Sequence, residues 1–175
     1  MSAGRRSLLK VLAAAAPLGW TLQARAADAP THMVDEPITD LPHRLLPLVG
    51  GGALDAAFLD GVAQAAQASG GLRERTARLP ALDAVTLAHL ASRLDGNTPR
   101  LVVALLDDAG AALALELLRA RGARLLAFES QRLAPTLAGA AHARALGLAL
   151  ASGAPLPTSP ATAAGAPCIA LACLI

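Results

Sequence analysis

Apolar positions along this chain fall into two kinds of segment: short unbroken runs, and longer stretches with a single apolar face. Leu101 to Leu106 is a continuous apolar run with two adjacent valines, the pattern of a strand buried on both sides. Arg44 to Val49 is a similar run broken by Pro47, which suits an edge position or a strand start. Arg124 to Phe128 gives another strand, and Arg73 to Leu79 alternates weakly and, with three arginines, predicts a solvent-facing one. Between them lie helical patterns. Leu54 to Ser69 sets Leu54, Phe58, Val62, Ala65 and Ala66 on one face. After Asp83, Leu87, Leu90, Ala91 and Leu94 form a second stripe, opposite Thr86, His89 and Arg93.

The segment from Pro99 to Ser130 reads as strand, helix, strand. Asp107 or Asp108 offers a side-chain oxygen to the free N–H groups of a helix running to about Arg121, and Gly122 ends it. Two strands joined by a helix of this length imply a parallel crossover. In the helix, Asp108, Ala112, Glu116 and Arg119 make a narrow polar stripe, with Leu113, Leu115, Leu117 and Leu118 over most of the rest. A further helix is expected from Leu133 to Ala151, with Pro135 in its first turn and His142 and Arg144 at polar positions. Ala154 to Pro167 holds four prolines and reads as a linker, and Cys168 to Ile175 closes the chain as an apolar candidate for a fifth strand.

This order predicts a single α/β domain over residues 44–151, followed by a Pro-rich linker and apolar segment over 152–175. The domain would be three-layered and Rossmann-like or flavodoxin-like, with a mostly parallel sheet of four or five strands. A compact all-α fold is the alternative, because alanine and leucine dominate and β-branched residues are few.

The N-terminus changes the charge balance. Gly4-Arg5-Arg6-Ser7-Leu8-Leu9-Lys10, the apolar Val11 to Leu22 and the small residues of Ala24-Arg25-Ala26 resemble a twin-arginine signal peptide over residues 1–26. The resemblance implies cleavage before Ala27 and a periplasmic protein with no stable membrane span. Residues 27–43, with three prolines and four acids, would then be an extended lead-in. Arg5, Arg6, Lys10 and Arg25 would leave with the signal, turning fifteen basic residues into eleven arginines against thirteen acids and the net charge from +2 to −2. Trp20 would leave too, so Phe58 and Phe128 become the only aromatics. Such an inventory argues against a nucleic-acid partner, which needs a basic patch and stacking platforms.

Candidate chemistry is sparse. In open parallel sheets ligands bind beyond the carboxyl ends of strands. That rule selects Gly50, Gly51 and Gly52 after the first strand, Asp107 and Asp108 after the third, and Glu129, Ser130 and Gln131 after the fourth. The glycines could bring bare N–H groups to an anion, but a G-x-G-x-x-G reading places Asp55 last, where its charge repels a pyrophosphate. No P-loop pattern is present, and no cofactor is expected. Asp107 and Asp108 could join Glu129 around a divalent cation, although capping of a helix accounts for both aspartates. His32, His43, His89 and His142 show no metal-ligand spacing, and Ser130 lacks a nucleophile elbow. Cys168 and Cys173, on one extended strand, would stand about 16 Å apart on opposite faces, beyond reach of a mutual disulfide.

These features favour a non-catalytic exported domain that binds a small molecule or a periplasmic protein. Two alternatives remain: an accessory subunit of an exported redox complex, and a metal-dependent enzyme with an acidic corner at Asp107, Asp108 and Glu129.

Overall fold

A computed structural model describes residues 44–81, 83–158 and 165–175. The expected signal peptide and lead-in lie outside them, as do residues 159–164 of the expected linker. The described chain is an α/β unit with a six-stranded mixed sheet and four helices. Its elements are β1 (Arg44–Val49), α1 (Asp55–Ser69), β2 (Leu72–Arg73), β3 (Ala77–Arg78) and α2 (Ala84–Leu94). They continue with β4 (Leu101–Leu106), α3 (Asp108–Arg119), β5 (Arg124–Leu133), α4 (Leu137–Ser152) and β6 (Ala166–Leu174).

The sheet runs β2-β1-β4-β6-β5, with β3 also on the outer side of β1. β1 pairs in parallel with β2, β3 and β4. β6 is antiparallel to both β4 and β5. The crossover expected between Leu101–Leu106 and the strand after Gly122 therefore joins two strands of like direction that do not touch, because β6 separates them. The sheet has six strands where four or five were expected, and the antiparallel β6 makes it mixed. The place of β6 also corrects the division after residue 151, since the C-terminal run is a central strand of the same sheet. An all-α fold is excluded.

Alternation of side chains makes two cores. Leu45, Val49, Leu101, Val103, Leu105, Ala170 and Ala172 face α1 and α4. Leu46, Leu48, Val102, Ala104, Leu106, Ile169, Leu171 and Cys173 face α2 and α3. β4 is buried at all six positions, which is why it reads as an unbroken apolar run.

Helices α1 and α4 cross closely. A Cβ at Gly61 would fall on the carbonyl of Arg144, and one at Gly147 on the carbonyl of Phe58. These two glycines let the backbones meet, and Phe58 and Leu146 are fully buried at the contact. Arg144 remains exposed and reaches Asp60 at 3.0 Å, a surface pair that contributes little. Helix α3 buries Gly110, Ala111, Ala114 and Leu118, while Leu113, Leu115 and Leu117 stay half-buried. Its expected polar stripe of Asp108, Ala112, Glu116 and Arg119 is exposed throughout.

Three local expectations differ from the structure. The weak strand Arg73–Leu79 is two two-residue strands, each bonding a separate part of β1. The helix expected from Leu133 begins at Leu137, capped by Thr136, because β5 continues through Leu133. His142 is buried, 9% exposed, where a polar position was expected. No helix of the described residues is long and apolar enough to cross a membrane.

Candidate binding cavity at the carboxyl edge

The turn after β1 is built by one carboxylate. Gly51 adopts φ 92°, a left-handed value that favours glycine. Helix α1 then starts without a side-chain cap at Leu54. Instead Asp55 folds back, and its Oδ2 accepts the Gly51 N–H at 2.8 Å. Asp55 is only 7% exposed. Burial raises its pKa above the ordinary carboxylate value, opposed by the Gly51 and Gly52 amides and by the charge of Arg78. The Gly51 N–H that a phosphate would need at this glycine turn is thus already taken by the protein's own acid.

The turn after β4 follows the same logic. Asp107 caps α3, its Oδ1 accepting the Gly110 N–H at 2.6 Å. Asp108 lies in the first turn of α3 and is exposed.

Between these turns opens a cavity of about 350 Å³. One wall is the Gly50–Asp55 turn, a second is Leu105, Leu106 and Asp107, and the third is Leu133, Pro135 and Ala166–Cys168. The wall is mostly apolar, and among the described residues its acidic side chains are Asp55 and Asp107 and no lysine, arginine or histidine lines it. Cys168 is half-buried there, and its thiol pKa is raised by burial and by the nearby charge of Asp108. A thiol so placed is a poor nucleophile at neutral pH.

Of the residues expected beyond the strands, Gly50, Gly51, Gly52 and Asp107 come together in this cavity, whereas Asp108, Glu129 and Ser130 stand outside it. Asp108 borders a separate groove of about 380 Å³ between α3 and Phe128. Glu129 and Ser130 are not beyond a strand end at all, since they lie inside β5, paired with Ala170 and Ile169 of β6. Glu129 accepts the Gln131 Nε2 hydrogen at 2.7 Å on the face opposite Ser130. The acidic corner of Asp107, Asp108 and Glu129 is therefore not assembled, and no group of three potential metal ligands is found among the described residues.

The third wall was missed from the sequence. A strand was expected from Cys168, but Ala166 and Pro167 read as the end of a Pro-rich linker, so the strand's first residues were not placed at the cavity. Cys168 and Cys173 do face opposite cores, as their spacing requires, and both are free. Burial pushes the Cys173 thiol up to about 11.

Buried polar groups also gather under α4. His142 Nε2 and Gln131 Oε1 have no hydrogen-bond partner. Burial lowers the His142 pKa, and the charge of Glu129 partly opposes the shift. No family model matches this chain, and neither a curated protein nor a solved structure is significantly similar to it.

Proposed function

We propose that this chain is an exported, non-catalytic binding protein whose domain holds a small neutral or cationic molecule in the carboxyl-edge cavity. The observation that carries the reading is the cavity itself: a mostly apolar chamber of ligand size whose wall, among the described residues, holds two carboxylates and no cationic side chain. An anionic ligand would meet Asp55 and Asp107 and find the Gly51 N–H occupied. A molecule with an apolar body and a hydroxyl or ammonium group would bury its body against Leu105, Leu106 and Leu133 and place its donor near the acids. The place also suits a Rossmann-like reading of the domain, in which ligands sit outside the carboxyl ends of parallel strands. No group of three potential metal ligands occurs among the described residues, which gives the metal-dependent alternative less support. Export rests on the twin-arginine resemblance and places the ligand in the periplasm.

The test is a thermal-shift and calorimetric screen of the full chain against matched small amines, alcohols, carboxylates and phosphates. Amines or alcohols should raise the melting temperature and their anionic counterparts should not. Ala53→Trp, at the exposed turn lining the cavity, should abolish the shift without altering the unliganded melting temperature by more than a few degrees. Binding of the anions alone would overturn the reading.

A further inference from the structure

Strand β5 ends the sheet, and among the described residues it pairs only with β6. It is ten residues long, and helix α3 leaves the side of β5 that carries Leu125, Phe128, Ser130 and Arg132 exposed. Five large hydrophobics are exposed in the described chain, and three of them, Leu125, Phe128 and Leu137, lie on β5 or just after it. A long edge with an open ladder and apolar side chains is a template for another strand.

The strand also carries the pattern of its partner. Its register against β6 shifts between Leu125 and Ala127, so the regular part is Ala127–Leu133, centred on Ser130. We infer that β5 pairs antiparallel with β5 of a second copy of this chain, about a two-fold axis at Ser130. That register sets Phe128 of each copy opposite Arg132 of the other on one face, and Glu129 opposite Gln131 on the other face. The first pair allows a guanidinium to stack on an aromatic ring, twice by symmetry, and the second brings each carboxylate beside a Gln131 amide that already donates to Glu129 of its own chain. No like charges meet. Moving the axis by one residue to Glu129 would set two carboxylates against each other. The assembly is isologous and closed, so it joins two six-stranded sheets and removes the β5 edge from both.

The experiment is sedimentation velocity of the full chain over the micromolar range, with cysteine cross-linking to read the register. The wild type should sediment as a dimer, and Phe128→Asp should raise its dissociation constant by at least about tenfold, as loss of a central aromatic contact does. In a Cys168→Ala background, Ser130→Cys should oxidise to a covalent dimer, because residues facing each other on paired strands have Cα separations of about 5 Å, within disulfide range. Arg132→Cys should not, because its two copies would stand about 14 Å apart along the ladder. A wild type that stays monomeric overturns the proposal. A dimer in which Ser130→Cys fails to cross-link, or in which Arg132→Cys cross-links equally well, places the interface or the register elsewhere and also overturns it.

Discussion

The two faces of the sheet are covered unequally. On one, α1 and α4 meet through Gly61 and Gly147 over a core that reaches from β1 to Leu133 at the end of β5. On the other, α2 and α3 cover β1, β4 and β6 but leave Phe128 47% exposed and Leu125 42% exposed. The same strand thus buries Leu133 to 3% exposure on one side and shows its largest apolar side chain on the other. The two edges of the sheet repeat the contrast. Outside β1, strands of two residues and the exposed Arg73, Arg75 and Arg78 blunt the edge, whereas β5 presents ten residues. Among the described residues one side of the sheet is covered, and the other presents the edge that the proposed dimer would cover.

The sharpest break in this comparison is a pair of phenylalanines. Phe58→Ala, in the closed face, should cost about 3–5 kcal/mol of unfolding free energy in a denaturant titration. Phe128→Ala, measured at concentrations where the chain is monomeric, should change it by less than about 1 kcal/mol. Equal losses would mean that the open face is packed as tightly as the closed one.

Next comes Gly147→Ala. In a free helix this change is favourable by roughly 1 kcal/mol. Here the new methyl meets the Phe58 carbonyl, so the helices must part, and a net loss of about 1–3 kcal/mol is expected. A stabilised Gly147→Ala protein would show that α1 and α4 are not in contact at this point.

His142 makes the closed face sensitive to acid. Its pKa is lowered in the folded state, so the unfolded chain takes up the proton first as pH falls. This contribution to stability is complete above the ordinary histidine pKa, declines as pH drops below it, and levels off beneath the folded value. The melting temperature should therefore fall on mild acidification, and His142→Leu should flatten that part of the profile. Asp55 acts in the opposite sense at lower pH, because its raised pKa lets the folded state keep a proton that the unfolded chain has lost.

Smallest is the effect of Asp107→Ala, which removes the α3 cap and should cost about 1 kcal/mol. Because it also removes one of the two acids of the cavity, it should weaken binding of an amine more than binding of an alcohol in the calorimetric screen.

Much of the fold could be read from local pattern. The limits of β1 and β4, the apolar stripe of α1, a cap at one of Asp107 and Asp108 and the exposed line of α3 agree with the structure. Each depends on residues within a few positions of one another: side-chain periodicity, a capping oxygen, a glycine at a turn. The placing of Gly50, Gly51, Gly52 and Asp107 beside one cavity was legible for the same reason, since they sit where β1 and β4 end. Glu129 and Ser130 were misplaced because β5 runs on through polar residues, its ladder to β6 supplying bonds that no local pattern announces.

What the sequence by itself determined is therefore the identity of the elements and which of their faces seek a core. The tertiary structure alone decided that β6 enters between β4 and β5, that its first residues wall the cavity, and that His142 is buried. Strand partners are chosen by contacts between segments far apart in the chain, and the cavity exists only where three such segments meet.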